Sequence, residues 1–219
     1  MKVQLCPKGA AKTLLFILGL LLSANILAIT LRYFPDNLLT SVLQLFDFNT
    51  ENSFPTLYSF IILLLSAALL SLIGMLSRRQ GSRGRGWFIL SLVFLFLAID
   101  ETLMVHEALM VPVRDAWIIP YSFLLLLLVF SLLPFLIKLP SDTRNSFFLA
   151  GFIFVSGAIG IEAFTGWYVT SFGEHNLVYE ILYTIEELLE MGGIVLFIYA
   201  LLNHICRYTR LAMIVVGKR

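Results

Sequence analysis

The sequence predicts an all-helical protein that crosses a membrane six times with both termini on the cytoplasmic side. Three observations lead there. Six stretches are apolar over about 20 residues, the length that covers roughly 30 Å of hydrocarbon at about 1.5 Å per helical residue. Only 13% of the 219 residues are charged while 59% are hydrophobic, whereas soluble domains carry about one quarter charged residues. Finally, the basic residues gather in alternate connections, as they do when they orient helices across a bilayer.

The first span is expected at 13–31. Its basic start and its apolar run LLFILGLLL would suit a signal peptide, but Ser23, Ala24 and Asn25 make a poor small-x-small cleavage site. The apolar stretch also continues to Leu31, which favours a retained anchor. The connection 32–56 is the longest, and Leu38, Leu39, Val42, Leu43 and Phe46 recur in it at helical spacing. That spacing predicts a short interfacial helix, read as resting on the outer leaflet or the bundle in preference to serving as a lid. The remaining spans are expected at 57–76, 87–105, 118–137, 147–167 and 178–202. Runs such as FLLLLLVF are continuously apolar, which excludes the alternating strands of a membrane barrel. With no internal repeat or soluble segment, 1–219 reads as one membrane domain.

Counting basic residues places Lys2, Lys8, Lys12, Arg78, Arg79, Arg83, Arg85, Lys138, Arg144, Arg207, Arg210, Lys218 and Arg219 on one side and only Arg32 and Arg114 on the other. The first side is therefore cytoplasmic, and the expected location is the plasma (inner) membrane. An even number of spans agrees. Trp87 is expected at the inner boundary, and Trp117, Trp167 and Tyr168 at the outer one. The arginine-rich loop 78–85 reads as a topology determinant with affinity for anionic headgroups. Cys6 and Cys206 fall on the reducing side, so no disulfide is expected.

The acids are distributed differently. Of fourteen, only Asp142 lies in a cytoplasmic loop. Asp100 and Glu101 lie roughly 20 Å up the third helix and Glu162 roughly 22 Å up the fifth, while Glu186, Glu187 and Glu190 lie roughly 12 to 18 Å down the sixth. All six reach one layer between the midplane and the outer surface. Each costs about 2.5 to 3.5 kcal/mol to insert, so such groups face a bundle interior or a wet cavity. On the sixth helix Glu180, Tyr183, Glu186, Glu187 and Glu190 share a sector of about 120° that continues uncharged through Gly193 and Phe197. One face is thus acidic in its outer half alone, the pattern of a cavity open outward. On the third helix Glu107 and His106 stand one to two turns above Asp100, provided the helix continues toward Pro112. On the fifth, Ala158 and Gly166 flank Glu162, and Ser156 and Gly160 form a second small pair suited to close helix approach. Asn25 reaches the same layer from the first helix. No Lys or Arg lies inside any span.

The D-E-x4-H-E segment from Asp100 to Glu107 and the E-E-x2-E segment from Glu186, followed by M-G-G, resemble uncharacterised bacterial multi-pass membrane proteins. The resemblance covers these two segments and implies no activity.

Carboxylates packed in a low-dielectric layer need protons, cations, a cationic ligand or a partner's basic group. The first expectation is a divalent-metal site formed by Asp100, Glu101, His106, Glu162, Glu186 and Glu190, with Glu107, Glu187, His175, Asn25 and Tyr183 as further candidates. Such donors suit iron, manganese or zinc. A membrane-embedded enzyme would use that metal to activate water or dioxygen. Against it, neither Glu-x-x-His pairs, H-E-x-x-H nor a cysteine set is present. The alternatives are a proton- or cation-coupled carrier and a noncatalytic accessory subunit of a larger membrane complex. Lipids are expected partners, with a homodimer or larger complex left open. Haem, nucleotide and nucleic acid have no supporting residues. His175 reads as an exposed loop residue and His204 as a helix-end interfacial one.

Overall fold

The computed structural model describes residues 6–32, 42–50, 52–81, 84–103 and 118–208. Among them the chain is entirely helical: α1 (Pro7–Leu31), α2 (Phe54–Arg79), α3 (Arg85–Leu103), α4 (Ile118–Leu136), α5 (Ser141–Phe172) and α6 (Leu177–Tyr208). Five are long and apolar enough to cross a membrane, and α4 contains the shorter apolar stretch Ser122–Leu136. The protein is a polytopic all-α membrane protein. His106, Glu107, Trp117, Leu38 and Leu39 lie outside the described residues, as does the expected continuation of the third helix toward Pro112.

Local chemistry sets several helix ends. Pro7 opens α1, where its missing N–H costs nothing. Ser53 caps α2 by accepting from Thr56 N–H at 3.3 Å. Gly173, with φ of 80°, ends α5 in the left-handed region that favours glycine. At the end of the bundle where α1 begins and α6 ends, the terminal end, Arg207 pairs with Asp142.

The central helix is α6, which packs against α1, α2 and α5. Its apolar face joins Leu18 and Leu21 of α1 and Ile62 and Leu63 of α2 in one buried core through Met191, Ile194 and Ile198. Helix α3 folds back on α2 as an antiparallel hairpin, where Ser91 Oγ donates to Ala67 O at 2.8 Å and shares a 2.8 Å bond with Ser71 Oγ. By contrast, α4 approaches the other described helices mainly near one end, where Phe135 packs on Gly86 and Trp87 of α3. Pro134 removes one backbone hydrogen bond near its terminal end.

Three expectations need correction. The fifth span is not a continuous α-helix: Ser156–Ile161 forms a π-turn between Ser141–Val155 and Glu162–Phe172. A π-turn adds a residue to the turn and rotates everything beyond it. The Ser156 and Gly160 pair consequently makes no close approach, and a Cβ on Gly160 would meet nothing within 4 Å. Gly157 does so instead, where a Cβ would lie 2.7 Å from Glu186 O. Secondly, the described part of the long connection, a 3-10 turn at Gln44–Phe46 followed by Asp47 and Phe48, takes the bundle side of the two resting places expected and goes deeper than resting there. It enters the bundle because Asn25 Oδ1 accepts from Phe48 N–H at 3.0 Å and Arg32 pairs with Asp47, which is only 1% exposed. Thirdly, Trp87 is buried among side chains and does not face the membrane boundary.

Candidate functional site

A cavity of about 830 Å³ lies between α3, α4, α5 and α6, with the edge of α2 and the inserted connection completing its wall. It exists because α3 lies along α2 and meets α5 and α6 chiefly through the aromatic side chains Trp87 and Phe94, while among the described residues α4 approaches the others mainly through Phe135. Asp100 and Glu101 of α3, Glu162 of α5, and Glu186, Glu187 and Glu190 of α6 all line it. Glu190 lies within electrostatic range of Glu187, Glu186, Glu101 and Glu162. Among the described residues no lysine, arginine or histidine lines this space.

The fold places each acid by a local device. Gly157 and Gly193 let α5 and α6 approach backbone to backbone, since a Cβ on Gly193 would lie 2.8 Å from Phe154 N. That contact presents Glu186 and Glu190 beside the π-turn, and the turn hands the chain directly to Glu162. π-turns inside α-helices recur at functional sites because they re-aim the side chains that follow. On α6 the stripe expected from periodicity lines the cavity through Tyr183, Glu186, Glu187, Glu190, Gly193 and Phe197. Glu180 turns elsewhere, accepting from Arg32 at 2.5 Å.

Other candidates stand apart. Asn25 is fully buried but bonds Thr184 Oγ1 at 3.0 Å and the Phe48 N–H, so it anchors α1 to α6 and the inserted connection. His175 is exposed in the α5–α6 connection and does not line the cavity. Among the described residues no group of three or more His, Cys, Asp or Glu could hold a metal ion.

Two features escaped the sequence reading. At the terminal end, Trp87 meets Phe135, Phe147 and His204 with ring centroids 5.1, 6.0 and 4.9 Å away, and Phe94 stacks on Phe197 at 4.6 Å. This aromatic floor closes the cavity below the acids. His204, expected at an interface, is instead buried here and shares a 3.0 Å bond with Thr143 Oγ1. At the other end, Asn49 and Tyr179 form a polar rim joined by a 3.1 Å bond from the tyrosine hydroxyl to Asn49 Oδ1.

A protein-family model matches residues 14–205, which include every described residue lining the cavity. The chain belongs to the DUF8692 family, described as a domain of unknown function. Neither the curated proteins nor the solved structures gave a match. Membership therefore supplies no chemistry, which has to come from the cavity. Its two halves differ sharply. The half near the rim is acidic, and the half near the floor is bounded by side chains such as Leu90, Val93, Leu128, Leu132 and Phe154.

Proposed function

We propose that this member of the DUF8692 family is a plasma-membrane protein, with both termini in the cytoplasm, that binds an organic cation in the acidic half of its cavity. The observation that carries the reading is a single cavity lined by six carboxylates and, among the described residues, by no cationic side chain. In a low-dielectric site a positive ligand gains from every carboxylate within reach, and an anion is repelled by all of them. An organic cation is favoured over a metal ion because, among the described residues, the acids form no set of three donors, while the cavity is far larger than an ion needs. The aromatic floor supports access from the rim end and weighs against a through-path. The excess of basic residues at the terminal end supports the orientation.

The test is titration of the purified protein with tetraethylammonium, with ethanesulfonate as the anionic control. Binding of the cation alone is expected. The Glu186→Gln/Glu190→Gln double variant should weaken it at least about tenfold, or ~1.4 kcal/mol. Equal binding of both ions, or an unchanged affinity in the variant, would overturn the reading. Elemental analysis runs beside it. Stoichiometric iron, manganese or zinc that is lost in the same variant would restore the metal-dependent enzyme.

A further inference from the structure

The cavity extends well below its acids. From Asp100 the α3 wall continues through Leu97, Val93 and Leu90 to Ile89, eleven residues or about 16 Å of helix. From Glu162 the α5 wall descends past Phe154 and Gly151 to Phe147 at the floor. All of these wall residues are apolar. A small cation would leave this compartment empty or wet, and neither state suits an apolar space of this size.

Helix α4 shows how such a space fills. Among its cavity-lining residues, Leu132 near the floor is 3% exposed, whereas Val129 is 40% and Leu124 is 55% exposed. At the terminal end α4 is held, because Phe135 packs edge-on against Trp87 and its ring occupies the place a Cβ on Gly86 would need. Higher up, among the described residues, α4 has no close helix neighbour, and its cavity-lining Leu124 and Val129 are also exposed on the apolar outer surface. Among the described residues the cavity is thus open on the α4 side and pinned at its lower end by Phe135.

From these features we infer that the ligand is a cationic amphiphile, its head among the carboxylates and its hydrocarbon tail in the compartment between α3, α4 and α5, entering past α4 from the bilayer. The inference rests on the cation reading above and adds the tail. Gly151 sets how far the tail reaches. It lies on the compartment wall one turn above Phe147, and a Cβ there would meet nothing within 4 Å. A larger side chain at 151 can therefore project into the space without displacing its neighbours.

The experiment uses dodecyltrimethylammonium carrying a photoreactive diazirine either at the tail terminus or beside the head, with the dodecyl sulfate equivalents as anionic twins. The full-length protein is labelled in neutral detergent and mapped by peptide mass spectrometry. The tail-terminal cation should label peptides around 147–155 and the lower part of α4, and the head-proximal one peptides around 183–190. In Gly151→Phe the inner labelling should be lost and the head-proximal labelling kept, which also shows that the variant is folded. Tail-terminal label spread over the outward face of α1 at Phe16 and Leu20, and unchanged by Gly151→Phe, would overturn the inference. If the sulfate twins give the same ladder with the same loss in Gly151→Phe, the tail compartment stands and the cationic head is what fails.

Discussion

The contact between α5 and α6 offers the sharpest test of how the acids are held. A Cβ added to Gly193 would sit 2.8 Å from Phe154 N and 3.0 Å from Ala150 O. One added to Gly157 would sit 2.7 Å from Glu186 O and 3.0 Å from Glu190 Cγ. Ordinary contact needs at least 3.4 Å, and the closest obstacles are backbone atoms that cannot rotate away. Each Gly→Ala change must therefore push two long helices apart by several tenths of an ångström. Overpacking of this kind costs about 1 to 3 kcal/mol. At about 3 °C per kcal/mol for a chain of this size, the unfolding midpoint should fall by roughly 3 to 9 °C. Gly192 is the internal control, since it neighbours Gly193 and a Cβ there meets nothing within 4 Å. Its replacement by alanine should leave the midpoint unchanged or raise it, because glycine costs a helix interior about 1 kcal/mol relative to alanine. The assay is thermal unfolding of the three variants in one neutral detergent. If Gly193→Ala and Gly157→Ala unfold with Gly192→Ala, the close approach is not what positions Glu186 and Glu190.

Three further outcomes are expected. Asn25→Ala removes the acceptor of Phe48 N–H and the donor to Thr184, at a cost of about 1 to 3 kcal/mol; limited proteolysis should then cut within 42–50, and resistance equal to wild type would count against the anchoring role. Trp87→Ala should cost about 3 to 5 kcal/mol as a buried large-to-small change. It also opens the floor, so in a background lacking Cys6 and Cys206 a water-soluble thiol reagent added to the detergent-solubilised protein should react faster with Leu97→Cys; an unchanged rate would show that Trp87 is not what seals the floor. For orientation, His175→Cys in a background lacking Cys6 and Cys206 should react with an impermeant maleimide on intact cells, whereas Cys6 in a variant lacking only Cys206 should react only after permeabilisation. The reverse pattern would invert the protein in the membrane.

The parts legible in the sequence are those governed by a single periodicity. Span length follows from hydrocarbon thickness, and a described helix stands at each of the six expected places, although α1, α5 and α6 run up to six residues past the expected bounds. The acidic stripe of α6 was readable because that helix is uninterrupted, so about 100° per residue holds from Tyr183 to Phe197. On α5 the same arithmetic fails at Ser156, where the π-turn changes the phase and transfers the close approach to Gly157. No local composition marks that turn, because SGAIGI suits an α-helix near a crowded interface equally well. The gap beside α4 was hidden for another reason. A helix made almost wholly of Leu, Phe and Val has no polar face to say which side meets lipid, protein or empty space. His204 and Trp87 look like boundary residues by position, and only the converging ends of α3, α4, α5 and α6 turn them inward.

The helices divide the labour unequally, and this bears on how the site can exist at all. Helices α1, α2 and α6 interlock around Leu18, Ile62 and Ile194, and α5 locks onto α6 at two glycines. Stability is concentrated there. Helix α3 depends on α2 for its close packing, and α4 is held mainly at its terminal end by the ring of Phe135. A bundle packed uniformly to the density of a protein interior would leave no cavity of 830 Å³. It would also force six carboxylates against hydrocarbon, at several kcal/mol each. Loose packing on one side thus gives the acids a wet or ligand-filled space, and the tight half can bear that looseness. Changes on the α4 side should accordingly alter binding more than stability, while changes along the α5–α6 contact should alter both.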